Sequence, residues 1–387
     1  MSFFTRRFGL AVAAAFSFGA YLALRPSPEQ PVAPVDVPRS EAARPAAAGA
    51  PLTTLTIAAI SSPHQGQQVF SGATQIILEQ GWLEAELARR GVALKIEPVS
   101  PAVGGPQINE GFAAKRIDFA AYGDFPALIA KAGGVDIRTV LSPGQGNNAY
   151  LVVRKGLAAQ SIRDLKGKSI AIHRGRPWEL TFAKLLDANG LTLNDFKIYN
   201  LNPQAGHAAL AAGKVDATFT LSEALVTEQQ GAGRIIWSTK DAPLHWKMRT
   251  GLWARHDFTD AHPDITTLVV AAYVKAAHWQ AQEENRDRVL QMASRGNLPV
   301  DLIARDYDDP RVGWKDRFSP LLDGFYRQHF SDVAEYIHAN GLVQKRVQVE
   351  DIIDDRFLAA ALRDLSAGGL PLDGYWTPQA EQKVAAR

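Results

Sequence analysis

Two stretches of the chain repeat one pattern. Residues 105–128 read GPQINEGFAAKRIDFAAYGDFPAL, and residues 202–225 read NPQAGHAALAAGKVDATFTLSEAL. In each, Pro106 or Pro203 precedes a glutamine, where proline suits the first turn of a helix. That helix ends at basic residues, with Gly213 as a terminator in the second copy. A strand follows at 117–122 or 215–220, with Asp118 or Asp216 as its second residue. Asp124 or Ser222 then stands as a potential N-cap opening another helix. Upstream, each copy is preceded by strand, loop, helix and strand: LTIAAI to LKIEPV in the first, SIAI to FKIYNL in the second. Such alternation is the pattern of an α/β fold, here two lobes of similar topology with mostly parallel sheets. In these sheets a ligand site lies beyond the carboxyl ends of the strands, where helix N-termini converge. Two such lobes facing each other enclose a cleft.

The segments PGQGNNAY and IWSTKDAPLHWKMRTGLW flank the second copy and read as crossover strands. The second lobe, 146–239, is then inserted into a first lobe made of 52–145 and 240–387. Two crossovers form a hinge able to close on a ligand. Beyond 254 the chain reads as largely helical, with HPDITTLVVAAYVKAAHWQAQ and LLDGFYRQHFSDVAEYIHANG as its clearest stretches and Gly341 as a stop.

Ahead of the lobes, Arg6 and Arg7 precede the apolar run FGLAVAAAFSFGAYLAL at 8–24. Charge, apolar run and then proline is the layout of a secretory signal. The run also reaches the short end of what spans a bilayer as a helix, and no small-x-small cleavage site follows it directly. Residues 1–24 therefore read as a signal peptide or as an N-terminal anchor held in the inner membrane, with the arginines cytoplasmic. Residues 25–51, rich in proline and alanine, read as an extended linker, and the globular part lies outside the cytoplasm. The formal net charge of +2 belongs to these first 51 residues, because acids and bases balance from Leu52 onward. No basic face for nucleic acid follows from that balance. Cysteine is absent, which excludes disulfides, thiolate metal sites, a cysteine nucleophile and a lipid-modified N-terminal cysteine.

Several apparent motifs lack the context their chemistry needs. Gly144-x-Gly146-x-x-Ala149 is followed by a strand-like AYLVV rather than a helix, so no dinucleotide site forms. Asp306, Asp308 and Asp309 lack the mid-loop glycine and terminal glutamate of a calcium loop and read as a solvated turn before Pro310. Glu350, Asp351, Asp354 and Asp355 read as an exposed helix start. The nine histidines contain no HExxH, and no Gly-x-Ser-x-Gly elbow is present. Nothing points to a metal, a cofactor or catalytic machinery.

The loop HRGRPWEL is informative. A strand ends at Ile172 and a helix begins near Pro177, with His173, Arg174, Gly175 and Arg176 between them. Free N–H groups at a helix start favour an anion, and arginine adds charge-assisted, bidentate contacts. Alternatively, the arginines are solvated or pair with Glu179 and a neighbouring acid. Trp178 either walls the pocket or packs within the lobe. From the first lobe, the long loop at 61–72 offers Ser62, His64 and Gln65, and AYGDFP offers Tyr122, Gly123 and Asp124. Asp124 reads first as a structural N-cap. Asn148 in the first crossover and Ser222 and Glu223 in the second lobe complete the candidate ligand-binding set.

GPQINEGFAAKRIDFAAYGDFPALIAKAGG, SIRDLKGKSIAIHRGRPWELTFAKLLDANGL, AALAAGKVDATF and NGLVQKRVQVEDI carry a resemblance that spans about 55–349. At these residues the chain resembles the substrate-binding proteins of ABC importers for aliphatic sulfonates, taurine and nitrate. The resemblance implies a type II periplasmic binding protein: two α/β lobes, a two-strand hinge, and a ligand cleft between the lobes. It also implies export to the periplasm and, as partners, an ABC permease and its ATPase subunit. The pocket departs from the family pattern. Sulfonate binders commonly have Thr-Gly-Asp where this chain has Tyr122-Gly123-Asp124, and a Gly-Ser-Ser-rich loop where it has 174–179. Their Trp-Asp-Pro is here Leu221-Ser222-Glu223, and a first-strand glutamine falls at Ile60. Arg174 and Arg176 keep a small organic anion as the expected ligand, an aliphatic sulfonate or related sulfur compound first. Glu179 and Glu223, if inward, suit a taurine-like zwitterion, and nitrate is a further alternative. Two other classes remain: a sensory ectodomain, and an enzyme of the thiamine-precursor type on the same fold with His173 or His207 as its reactive residue.

Overall fold

The computed structural model describes residues 51–101, 103–144, 147–294 and 298–378. The run at 8–24 and most of the linker lie outside the described residues. Among the described residues no helix is long and apolar enough to cross a membrane.

The first lobe opens with β1 (Thr54–His64), β2 (Gln67–Phe70), α1 (Ala73–Gln80), α2 (Trp82–Ala88) and β3 (Ala93–Val99). It continues through α3 (Gly105–Ala113), β4 (Phe119–Gly123), α4 (Asp124–Ala132) and β5 (Ile137–Leu141). The chain then crosses into β6 (Tyr150–Arg154), β7 (Ser169–Ile172), α5 (Trp178–Asp187), β8 (Lys197–Asn200), α6 (Pro203–Ala211), β9 (Ala217–Thr220), α7 (Glu223–Gln229) and β10 (Gly233–Ser238). It returns through β11 (Thr250–Arg255) and ends in helices: α8 (His256–Ala261), α9 (Pro263–Ala281), α10 (Arg286–Ser294), α11 (Val300–Tyr307), α12 (Trp314–Arg317), α13 (Gly324–Ala339) and α14 (Arg356–Ala367).

The two sheets share one topology. The first runs β3-β1-β4-β11-β5, and the second runs β8-β7-β9-β6-β10. In each, three parallel strands come from the repeated unit, and a crossover strand enters antiparallel against its last member. The sheets are therefore more mixed than expected, because a strand that returns from the other lobe arrives in the reverse direction. β1 is an apolar run buried on both faces through most of its length, as a central strand between parallel neighbours must be.

The repeat extends to side chains. Asp118 and Asp216 stand just before β4 and β9 rather than within them. Asp118 Oδ2 accepts from the Thr56 amide on β1, and Asp216 Oδ2 accepts from the Ser169 amide on β7. Each also pairs with an arginine of the adjoining crossover strand, Arg255 at 3.0 Å or Arg154 at 3.1 Å. One carboxylate thus staples three strands in each lobe.

The expected loop at 61–72 is largely a hairpin. β1 runs on to His64 and pairs antiparallel with β2. Gln65 and Gly66 both adopt positive φ, 49° and 79°, as a two-residue hairpin turn with the twist of its strands requires.

The described crossing residues are 142–144, 147–149 and 239–249, and the two crossings touch through a bridge between Asn147 and Met248. Here the expectation of a solvated turn at 306–309 is overturned, since Asp306 and Asp309 are buried. Lys247 Nζ is fully buried and bonds both Asp309 Oδ2 and Asn148 Oδ1. Asn148 Nδ2 donates to the Asp306 carbonyl at 2.9 Å, Thr239 Oγ1 donates to Asn148 Oδ1, and the Tyr150 hydroxyl donates to Asp306 Oδ1 at 2.5 Å. Burial works against the Asp309 charge, but hydrogen bonds from Lys247 and the Arg311 amide outweigh it and hold the carboxyl below its ordinary range. The turn after α11 is thus the polar core of the hinge. Removing one partner of such a buried pair costs about 3–5 kcal/mol, because the other charge is left stranded.

Candidate ligand cleft between the lobes

Between the lobes lies a cleft of about 290 Å³. Its first-lobe wall is Pro106 and Asn109 from α3 with Pro126 and Ile129 from α4. Its second-lobe wall is the loop His173–Arg176 between β7 and α5. The sequence pattern places this loop because the buried apolar strand SIAI stops at Ile172 and the amphipathic helix begins at Trp178.

The two arginines of the loop have different fates. Arg174 Nε donates to the buried Glu179 at 2.6 Å, and its amide is capped by Asn200. Glu179 also accepts from the Gly175 amide and from the Tyr336 hydroxyl on α13, so its carboxylate is fully engaged and not offered to a ligand amine. Arg176 instead reaches across the cleft. Its Nη2 lies 3.5 Å from the Val103 carbonyl, and it forms no ion pair among the described residues. Burial lowers the pKa of this guanidinium, which marks a cation partly stripped of water and unneutralised. His173 is likewise pushed down, by burial and then by the Arg176 charge, so its imidazole is neutral near pH 7.

Asn109 lines the cleft although no motif of the sequence marks it. Its Oδ1 accepts from the buried Tyr122 hydroxyl at 3.0 Å, and its Nδ2 donates to the Pro126 carbonyl at 2.9 Å. Tyr122 therefore acts behind the cleft wall by fixing Asn109. Gly123 lies at the lobe seam, where a Cβ would come 2.5 Å from Pro177 Cγ of the second lobe.

The other candidates lie elsewhere. Asp124 is the first residue of α4 rather than its cap, which is Gly123. Its buried carboxylate bonds His329 Nε2 on α13 at 2.6 Å, which ties α13 to the first lobe's α4. Asn148 is consumed by the hinge network. Ser62, His64 and Gln65 belong to the β1–β2 hairpin and do not line the cleft, because the hairpin pairing continues β1 past the sheet. Trp178 packs in the second lobe's core with Phe182 and Phe219. Ser222 holds the N-cap position of α7 without a side-chain cap bond. Glu223 follows it with Oε2 buried and without a partner among the described residues, and burial, reinforced by the Asp306 charge, raises its pKa.

A family model described as "NMT1/THI5 like" matches residues 79–286. The chain belongs to the NMT1/THI5-like family. Within similar proteins, a Bacillus subtilis (strain 168) protein named for binding aliphatic sulfonates is 26% identical over 300 residues, 76% of this chain and 86% of its own length. A periplasmic sulfonate-binding protein SsuA from Methylobacillus flagellatus KT is 42% identical in its crystal structure, with a TM-score of 0.79, covering 86% of this chain and 99% of that one. The alkanesulfonate-binding SsuA from Xanthomonas axonopodis pv. citri, solved with MOPS, shares the fold at a TM-score of 0.63 and 21% identity, covering 79% and 99%. These family relatives are named as binding proteins, and the two-lobed architecture is common to them.

Proposed function

We propose that the protein is the exported solute-binding component of an ABC importer and that it closes on a small organic anion, an aliphatic sulfonate first. The observation that carries this reading is Arg176, a half-buried arginine with no carboxylate partner among the described residues, lining an interlobe cleft sized for a small molecule. An anion entering the cleft would regain the charge-assisted bonds that the guanidinium lost on leaving water. The names of the similar proteins support the ligand class and imply a permease and ATPase as partners. The engaged Glu179 weighs against a zwitterion, since no free carboxylate of that loop faces the cleft. The apolar run at 8–24 fits export, as a cleaved signal or as a retained tether. With no cysteine in the chain, and His173 as the one histidine lining the cleft among the described residues, we read the protein as a receptor rather than an enzyme.

The test is thermal unfolding and calorimetry with alkanesulfonates, taurine, sulfate esters, nitrate and neutral analogues. A ligand at 100 times its Kd stabilises the native state by about 2.7 kcal/mol, a Tm rise of several degrees. The expected result is a shift with sulfonates that falls at least tenfold in affinity in Arg176→Ala. A variant within about 0.5 kcal/mol of wild type would remove Arg176 from the site.

A further inference from the structure

Arg249 ends the second crossover, immediately before β11. The residue is only 2% exposed. Nε and Nη2 are both buried, and neither has a hydrogen-bond partner among the described residues. No ion pair neutralises it among the described residues. Its guanidinium lies 4.4 Å from the centroid of the Phe325 ring, while Asp323 and the Tyr326 hydroxyl act on it at longer range from α13. Burial lowers the guanidinium to about 10, which still leaves it charged at neutral pH.

The fold puts this cation on the lobe seam. The next residue, Thr250, pairs with Gly123, the residue whose Cα faces Pro177 of the other lobe. Just upstream, the Trp246 and His245 carbonyls accept from Thr181 and Lys184 of α5. Arg249 is thus held between the end of β4 in one lobe and α5 of the other. The two orphaned nitrogens form one edge of the planar guanidinium, the fork that takes two oxygens of a single oxyanion side-on. Leaving that edge dry and unpaired is costly, and the cost is recovered if the partner is not part of the chain.

We propose that Arg249 is a second anion-binding residue of the interlobe site, the deep cation that takes two oxygens of the ligand's sulfonate or similar oxyanion head as the lobes close. This rests on the receptor reading above and adds a residue to it. Arg176 then acts at the cleft wall and Arg249 at its floor.

The experiment compares wild type, Arg249→Met and Arg249→Lys by calorimetry with ethanesulfonate and with ethyl methyl sulfone, its neutral counterpart, alongside the Tm of each ligand-free protein. The expected result is a ligand-free Tm for Arg249→Met equal to or above wild type, with Kd for ethanesulfonate raised at least a hundredfold. Arg249→Lys, which keeps the charge but loses the fork, weakens binding at least tenfold. A lowered Tm with Kd within threefold of wild type in either variant makes Arg249 a packing residue and overturns the assignment. If Arg249→Met does not fold, Arg249→Lys decides alone by the same threshold. Wild type that binds no anion of the wider panel overturns the receptor reading and this assignment together. Wild type that binds while both variants match it overturns this assignment only.

Discussion

His207 on α6 shows how a single side chain couples this fold to pH. Its Nδ1 lies 2.6 Å from the Thr227 hydroxyl, its Nε2 is buried without a partner among the described residues, and burial pushes the imidazole down to about 4. The folded protein holds it neutral, whereas the unfolded chain takes up a proton near pH 6.5. Its stability contribution is therefore complete above about pH 6.5 and is lost as pH falls toward 4. The shift corresponds to roughly 2–3 kcal/mol once partial exposure is allowed for. Glu223 acts in the opposite sense: its raised pKa makes the folded state hold a proton the unfolded chain has released, so its contribution falls as pH rises above about 4.5. A difference between two proteins isolates His207 from this background. Replacing His207→Gln, which can still bond Thr227, should make the Tm loss between pH 6.5 and pH 4 several degrees smaller than in wild type. Parallel Tm curves for the two proteins would assign the acid sensitivity to other groups, such as the buried His329, whose pKa burial also lowers.

At the scale of elements, function depends on how closely the end of β4 approaches the start of α5. Gly123 caps α4 in an extended conformation, and its missing side chain lets Pro177 of the second lobe sit against the backbone. A proline ring cannot swing away as a long side chain can. Gly123→Ala should therefore hold the lobes apart while leaving each lobe intact. The expected outcome is at least a tenfold loss of sulfonate affinity in calorimetry, with the ligand-free Tm within a few degrees of wild type. Unchanged affinity would mean that the bound state does not bring these two elements into contact. Part of this is legible in the sequence, since the repeated strand–helix units place Gly123 and the HRGRP loop both at carboxyl ends of parallel strands. That they meet is a property of the hinge, which no local pattern encodes.

For the whole molecule, α13 carries contacts that span the lobes. Lys184 on α5 pairs with Asp332 at 2.9 Å, and Tyr336 reaches Glu179 of the same second-lobe helix. The pair keeps only 18% and 24% of its side-chain exposure but still reaches solvent, and such a pair is worth about 0.2–1 kcal/mol. If it forms only when the lobes are closed, Asp332→Asn should raise the ligand Kd by about 1.4- to 5-fold at low salt, and the difference should shrink at high salt. Equal affinities at both salt concentrations would show that the pair persists in the open receptor. The C-terminal helices are thus more than a cover for the first sheet: α13 also ties down Asp124 through His329 and lays Phe325 beneath Arg249.

Sequence pattern by itself determined the α/β class and the two lobes of one topology. These follow from periodicity, proline and glycine punctuation and a repeated aspartate, all properties of neighbouring residues. Tertiary structure decided which polar groups remain free. Arg174 and Arg176 differ by two positions, yet one is spent on Glu179 and the other crosses to Val103. Asp306 and Asp309 look solvated in sequence and are buried because Lys247 and Asn148, far along the chain, come to meet them. Arg249 belongs to no motif at all. Its significance is that it lacks a partner among the described residues, and that shows only once neighbours from distant parts of the chain are in place.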